Sequence, residues 1–435
     1  MRDLLFFGFM LIAVPLAFMA PFAGYLLWGW AGLIAIKFYL YGFMSGLGYV
    51  QIFAMITIAA LLLKRDRSLI PFKPNRTTVL LGLFVVHGLM VALLAYPGLD
   101  RNWELFGNLW KTALFCILMP LIAVNRFRIH ALVVMIALAV SFHGGLDGLK
   151  FIASGGSHNA QPVASFGDNN HLALVLLMVL PFLYYLYRYS AAKLARLGFL
   201  AALPLTVLAV VATHSRGALL GLFAIAIWII LKSQKKTLGM LLVGLCALMV
   251  VQLAPDDWSS RMETIQRAKE DASFMGRMTA WKVSSAIAVD NPVFGGGFRA
   301  LQAHHVWEKY MFSPGLLGFI DTPTLKRSGV AAHSIWFEVL GDQGFVGFFL
   351  FVALLVNGFV TRREVWKLVQ NNGPQEQWAG DLADMLAAAL LAYIVSGSLL
   401  SVAYFEIPYV CLMLMETLKQ YQMRMQTGLS QIKTE

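Results

Sequence analysis

The chain has 435 residues, of which 59% are hydrophobic and only 13% are charged. Soluble domains are about 45–50% apolar and about 25% charged, so this composition excludes an ordinary soluble protein. The mean hydropathy of +0.69 predicts an all-α, polytopic integral membrane protein in contact with membrane lipids. The net charge of +11 does not indicate nucleic-acid binding, because the basic residues are concentrated in particular loops.

The cysteines and the N-terminus exclude further classes. Cys116, Cys246 and Cys411 each lie within an apolar run and have no paired spacing, which excludes a disulfide framework and disfavours a metal cluster. No metal-ligand motif and no P-loop occur in the sequence, so we predict neither a bound metal nor a cofactor. The N-terminus is apolar after Met1–Asp3 and lacks a cleavage site, which predicts a retained membrane segment.

Apolar segments predict about 12 transmembrane helices. In chain order they are 4–35, 46–63, 78–97, 106–124, 129–145, 171–187, 197–213, 217–231, 237–253, 335–360, 382–402 and 404–418. The first segment is long for one crossing and contains Pro15 and Pro21. It is therefore either a single crossing or a broken, re-entrant pair.

The loops alternate between basic and nearly uncharged. The basic loops lie around residues 64–76, 126–128, 188–196, 232–236 and 362–367, and the others are 36–45, 98–105, 146–170, 212–216 and 402–404. The positive-inside rule places the basic set in the cytoplasm and the other set outside. Both termini are then cytoplasmic if residues 4–35 cross once.

One exterior loop, residues 254–334, is long and carries many Lys and Arg residues. Long loops translocate regardless of charge and often carry function. The pattern over 259–289 predicts an amphipathic helix that ends at Asn291-Pro292. The turn Gly295–Gly297 should then allow a close approach of backbone to a ligand.

Four separate clusters of polar residues fall at the exterior edge. They are Gly167–His171 with Asp168 and Asn170, His214–Gly217 with Arg216, the loop residues Arg277, Trp281 and Arg299, and His333 with Glu338 and Asp342. Titratable residues at such places are costly and are functional candidates. Each also has a purely structural interpretation. Arg216 can anchor at headgroups, Asp168 can cap a helix, and the two acids can pair with loop cations.

Taken together, the clusters indicate group transfer. The guanidinium fork matches phosphate or pyrophosphate oxygens bidentately. A neutral histidine beside it suits the abstraction of a hydroxyl proton near neutral pH. We therefore expect His333 to be a catalytic base that acts on a lipid-linked phosphate donor without a bound metal.

Three stretches resemble the O-antigen ligase family. They are Ser215–Gly217, then Gly276–Lys282 through Asn291–Phe298, then Ala332–Ser334 through Gly344–Gly347. The resemblance covers about residues 170–360, and the N-terminal region with Gly167–His171 looks like exosortase-associated O-glycosylation ligases. The family often has His-Asn where this chain has His333-Ser334, so no role of that Asn carries over.

The resemblance implies a GT-C-like glycosyltransferase of lipopolysaccharide biosynthesis in the bacterial inner membrane, with a periplasmic site. The donor would be a glycan on undecaprenyl pyrophosphate, and the acceptor a hydroxyl of lipid A-core. His333 would be the base in an inverting transfer, and Arg216 and Arg277 would hold the pyrophosphate, with Arg299 as a third candidate. The domains would be 1–145 as an N-terminal transmembrane region, 146–360 as the ligase core with loop 254–334, and 361–435 as C-terminal helices and cytoplasmic tail.

Two alternatives remain open. An O-antigen polymerase or a protein O-oligosaccharyltransferase would share the donor and the base and differ only in the acceptor. A lipid-linked glycan flippase or transporter should place charges at mid-membrane and often has two related halves. Lys111 and Asp384 are the nearest residues to intramembrane charges, and no internal duplication is visible.

Overall fold

The computed structural model describes residues 1–34, 36–63, 73–162, 167–232, 244, 272–322 and 329–432. These residues form helices and connecting turns, and no strand occurs among them. The helices are α1 Arg2–Met19, α2 Pro21–Ile34, α3 Tyr49–Leu63, α4 Arg76–Leu93, α5 Asn102–Ile122, α6 Arg126–Ala153, α7 Asn169–Tyr189, α8 Lys193–Ala212, α9 Arg216–Lys232, α10 Ala272–Asp290, α11 His304–Tyr310, α12 Ile335–Asn372, α13 Gln377–Gly397 and α14 Glu406–Ile432. The predicted all-α class is confirmed.

Within the described residues, 8 helices are long and apolar enough to cross a membrane. Every predicted segment except 237–253 coincides with a helix of the structure, and 237–253 lies outside the described residues. Side-chain caps mark several helix starts. Asn75, Asn125 and Asp168 each accept a backbone N–H three residues further along, at the first turns of α4, α6 and α7. The chain is therefore a polytopic helical membrane protein.

The described part of the predicted segment 4–35 forms a helical hairpin, α1 and α2, not one crossing. The carboxylate of Asp3, at the start of α1, accepts the N–H groups of Gly42 and Met44 at 2.9 and 3.1 Å, just beyond the end of α2. Phe9 and Trp30 pack with ring centroids 5.7 Å apart, as expected for two antiparallel helices. The break falls at Ala20 and Pro21, where α1 ends and α2 begins. The broken-pair alternative is the one that the structure shows.

The hairpin places the two termini at opposite ends of the bundle. Phe22 packs beneath the guanidinium of Arg128 at the start of α6, while the hydroxyl of Tyr39 lies 3.0 Å from His143 in the second half of α6. Thus α2 runs parallel to α6, and α1 begins at the end where α6 finishes. At the other end, Arg424 of α14 donates to the carbonyl of Val124, just before α6 starts. The condition for placing both termini in the cytoplasm, a single crossing by residues 4–35, is therefore not met.

Helix α12 is broken at Gly344, where φ is 67° and ψ is −168°. The break leaves carbonyls without helical partners, and other segments supply donors. Gly296 N–H donates to Gly341 at 2.9 Å, Gly297 N–H to Asp342 at 3.0 Å, and the His87 ring to Gln343 at 3.0 Å. Non-helical backbone at membrane depth is tolerated when protein surrounds it in this way. The polar start of α12 and its apolar span are therefore two helical segments.

The glycine turn Gly295–Gly297 packs against the backbone of α12 at this break. A Cβ on Gly295 would stand 2.5 Å from the nitrogen of Gly344, and both residues have φ near +65°. Only residues without a side chain fit such an approach. We expected this turn to approach a ligand, but the backbone that it approaches is that of α12.

Helix α10 packs along the first segment of α12. The ring of Trp281 stacks on Phe337 with centroids 5.0 Å apart, and Ser284 contacts Gly341. The helix ends at Asp290, before Asn291-Pro292 as predicted, while residues 259–271 of the predicted helix lie outside the described residues. A second small core, formed mainly by Val283, Ile287, Leu301, Val306, Trp307 and Tyr310, fixes α10 to α11.

Candidate active site

His333 lies in the non-helical segment immediately before α12 and is partly buried. Its backbone has φ of 46°, in the left-handed region, and its N–H donates to the hydroxyl of Ser401 at 2.8 Å. Burial lowers the pKa of the imidazole, the nearby charges of Arg277 and Arg299 lower it further, and Asp168 opposes them. The imidazole is therefore neutral near pH 7 and able to accept a proton.

Arg277 and Trp281 stand one turn apart on α10. The indole N–H of Trp281 donates to the carbonyl of Ala332 at 2.7 Å, so it holds the residue that precedes His333. Arg277 is partly buried, and its charge is the largest electrostatic influence on the imidazole of His333. The structure thus brings the predicted Arg277 and Trp281 together with His333.

The segment before α7 reaches the same end of the bundle. Asp168 accepts the N–H of His171 at 2.8 Å, so its predicted capping role is confirmed, and its charge also acts on His333. The side chain of Asn170 contacts only its neighbour Asn169 among the contacts seen, at 3.4 Å. Asn169, which the sequence did not single out, donates to the carbonyl of Thr213 at 2.7 Å and so ties α7 to the α8–α9 turn.

Arg216 is the first residue of α9 and follows that turn directly. The next residue, Gly217, accepts a hydrogen bond from the hydroxyl of Ser396 near the end of α13 at 3.0 Å. Arg216 therefore lies at the same end as His333. The residues near it in the chain contact α7, through Thr213, and α13, through Gly217. Arg277, Arg299 and Asp168 are the charges that dominate the imidazole of His333.

Arg299 is bound by two acids of α12. Its backbone N–H donates to Asp342 at 3.0 Å, and its Nε lies 3.4 Å from a carboxylate oxygen of Glu338. Both acids are buried, with only 4% and 3% of their surface exposed. Among the described residues, the two acids contact Arg299 and residues 403–404, and no contact joins them to His333. Glu338 thus pairs with a loop cation, as in the structural alternative, whereas Asp342 accepts the backbone N–H of Arg299 and the hydroxyl of Tyr404.

The loop between α13 and α14, residues 398–405, completes the site and was missed by the sequence analysis. It supplies the Ser401 hydroxyl to His333, the Ala403 N–H to Glu338 at 2.9 Å and the Tyr404 hydroxyl to Asp342 at 3.1 Å. This loop is short and uncharged, so the only available signal was its predicted place on the exterior side.

The arrangement combines a proton acceptor with cations. A neutral imidazole can take the proton of a hydroxyl nucleophile. Guanidinium groups beside it can stabilise negative charge on an oxygen-rich leaving group such as a phosphate. The site faces one end of a bundle of apolar helices, where a substrate carried on a lipid can reach it.

Comparison with known protein families gives two matches. The model of the O-antigen ligase family matches residues 201–352, and the model of a family of unknown function (DUF5935) matches residues 1–191. A search of curated proteins found no significant match. The first match contains Arg216, Arg277, Arg299 and His333, whereas Asp168 lies in the second. Over residues 201–352, the chain is thus similar to the O-antigen ligase family.

Proposed function

We propose that this protein is a glycosyltransferase that moves an O-antigen glycan from undecaprenyl pyrophosphate to a hydroxyl of lipid A-core. The transfer takes place at the periplasmic face of the bacterial inner membrane, in lipopolysaccharide biosynthesis. One observation carries the proposal. Within the family-matched region, a neutral His333 stands under the combined influence of Arg277, Arg299 and Asp168.

The base in this proposal is His333. Its imidazole accepts the proton of the acceptor hydroxyl while that oxygen attacks the anomeric carbon of the donor sugar. Because burial and two arginines lower its pKa, the imidazole is unprotonated and ready for this step at neutral pH. A positioned general base typically contributes about 10²–10⁴-fold to the rate.

The arginines act on the leaving group. The bond between the anomeric carbon and the pyrophosphate oxygen breaks, its electron pair stays on the pyrophosphate, and the configuration at the carbon inverts. Arg277 and Arg216 bind the pyrophosphate and stabilise the developing charge. Arg299 is a weaker candidate for this task because Glu338 and Asp342 already bind it. Cations in these positions supply the charge stabilisation without a requirement for a metal.

The lipid parts of both substrates would lie against the helices. Large apolar side chains point outward from α8 and α9, among them Leu197, Leu200, Leu220 and Phe223. The polyprenyl chain of the donor and the acyl chains of the acceptor can pack on such a surface while their polar heads reach the site.

A reconstituted transfer assay tests the proposal. Purified protein in EDTA receives undecaprenyl-pyrophosphate glycan and lipid A-core, and wild type is compared with His333→Ala, Arg216→Ala and Arg277→Ala. Two exposed residues at the same end, His305 and Arg101, provide the matched controls His305→Ala and Arg101→Ala. Transfer by the wild type and controls, but not by the three site variants, is the expected result.

Other outcomes select the alternatives. Lengthening of the lipid-linked glycan without transfer to lipid A-core would identify a polymerase. Transfer to a protein hydroxyl would identify an oligosaccharyltransferase. Donor binding with no covalent change would indicate a transporter, and dependence of transfer on a restored divalent cation would overturn the metal-free mechanism.

A further inference from the structure

The backbone of His333 is held in an unfavourable conformation. Among the described residues, those other than glycine with positive φ are His214, Arg299 and His333, and all three lie around the candidate site. A residue with a side chain seldom adopts this region of backbone space, and it persists there only when its surroundings hold it. The contacts of the His333 peptide therefore determine where its imidazole stands.

Two hydrogen bonds hold this stretch of chain. The indole of Trp281 donates to the carbonyl of Ala332, and the N–H of His333 donates to the hydroxyl of Ser401, at 2.7 and 2.8 Å. The first fixes the chain to α10, and the second fixes it to the loop of residues 398–405. Ser401 is thus the side chain that directly holds the backbone of His333.

The loop itself is fixed by the two buried acids. Glu338 accepts the N–H of Ala403, and Asp342 accepts the hydroxyl of Tyr404. The remaining carboxylate oxygens face Arg299, whose guanidinium also reaches the carbonyl of Ser401 at 3.4 Å. Buried carboxylates are stable in a protein only when such partners satisfy them.

We propose that Ser401 is a positioning residue for His333, and that Glu338 and Asp342 hold the loop that carries it. The proposal rests on the function proposed above for its effect on transfer. Its structural part, the coupling of Ser401 to the His333 backbone, is independent of any activity.

Matched serine variants test the effect on the reaction. Ser401→Ala removes the acceptor, and Ser401→Thr keeps a hydroxyl. Ser45→Ala is a control, because the hydroxyl of Ser45 donates to the carbonyl of Gly42 in a different segment. Misplacement of a catalytic group by about 1 Å can cost on the order of 10²-fold. We expect kcat to fall by about 10- to 100-fold in Ser401→Ala with KM for the donor unchanged, and Ser401→Thr to recover most of it. A kcat within about twofold of wild type for Ser401→Ala would overturn the proposal.

Hydrogen–deuterium exchange tests the coupling without activity. In Ser401→Ala the peptide that contains His333 should exchange about tenfold faster, because the amide has lost its acceptor. Ser45→Ala should leave that peptide unchanged. Unchanged exchange in Ser401→Ala would contradict the positioning role even if the transfer reaction proves to be a different one. Conversely, faster exchange with no transfer by wild type would refute the proposed function alone.

A milder variant tests the role of the acids without removing a buried carboxyl group. Tyr404→Phe deletes only the hydroxyl that donates to Asp342 and accepts from Gln343. We expect faster exchange in both the 398–405 and the His333 peptides, with a smaller loss of kcat than in Ser401→Ala. Faster exchange confined to 398–405 would show that the loop does not transmit its position to His333.

Discussion

The two ends of the helical bundle both concentrate charged residues, but they arrange them differently. At the end opposite the site, Arg362 of α12 forms an ion pair with Asp384 of α13, and the indole of Trp366 donates to the same carboxylate at 3.0 Å. Arg362 also lies over the ring of Trp228 on α9. These contacts join three helices and give the buried acid both a cation and an indole N–H as partners.

A second cluster at that end follows the same pattern. Glu364 pairs with Arg76 at 2.8 Å and with Lys419 at 3.2 Å, and Lys419 also binds Glu416 at 3.1 Å. Each of these acids contacts a cation directly, and the cluster ties α4, α12 and α14 together. Removal of one partner from a buried pair is destabilising, because the other charge is then left buried without compensation.

At the site end, Arg299 pairs with the buried Glu338, and the charges of Arg277, Arg299 and Asp168 act on His333. This end also holds His214, Arg299 and His333 in the left-handed backbone region. Backbone strain of this kind occurs mainly at functional sites. The comparison teaches that charge pairing occurs at both ends, and that the left-handed backbone is what distinguishes the site end among the described residues.

The largest effect should follow removal of the base. We expect His333→Ala to lower kcat by about 10²–10⁴-fold, because the acceptor hydroxyl loses its proton acceptor. The transfer assay measures kcat, and the unfolding temperature of the variant should equal that of wild type. A large drop in unfolding temperature would instead indicate a structural role for His333.

A substitution at the end opposite the site should lower stability and leave the activity of the folded protein unchanged. Arg362→Leu leaves Asp384 buried without its cation, with side-chain exposures of 13% and 8% in the pair. We expect the free energy of unfolding to fall by about 3–5 kcal/mol, as measured by denaturant titration in detergent. The kcat per folded molecule should not change, and a loss of kcat at constant stability would refute this division between the two ends.

The next largest effect on kcat should follow removal of Arg277, the cation with the largest influence on His333. Arg277→Ala is expected to lower kcat by about 10²–10³-fold, the typical cost of removing one preorganised charge donor. Arg277→Lys should recover only part of this, because an ammonium group cannot bind pyrophosphate as a fork. Full activity of the lysine variant would argue against bidentate binding.

The smallest effect concerns pH. A base must be neutral to act, so the acid limb of kcat/KM follows the pKa of His333. Asp168 raises that pKa, so Asp168→Asn, which can still cap α7, should move the limb to lower pH. Arg277 lowers the pKa, so the residual activity of Arg277→Ala should have its limb at higher pH. Shifts in the same direction would show that another group sets the profile.

The sequence predicted the positions of the helices well, because transmembrane spans are set by runs of apolar residues. The sequence also predicted that the polar clusters lie at one end, because the alternation of basic and uncharged loops indicates the side on which each loop lies. Asp168, Arg277, Arg299 and His333 therefore come together as expected, although they are distant along the chain.

Three features were beyond sequence reasoning, each for a physical reason. The α1–α2 hairpin and a single long crossing have the same apolar composition. The break in α12 depends on a contact between Gly344 and Gly295, which are 49 positions apart in the numbering. Ser401 acts through one hydroxyl in an uncharged loop, and a lone serine carries no pattern.

The break at Gly344 also has a mechanical consequence. An unbroken helix of the 38 residues of α12 would be a rod of about 57 Å, so any change in its tilt would swing His333. Helices change tilt as they adapt to bilayers of different thickness. The break at Gly344 divides this rod, and the segment before it has attachments of its own, from Gly341 and Asp342 to Gly296 and Gly297 and from Gln343 to His87. The position of the base is thus set by these attachments near the site as well as by the long apolar span of α12.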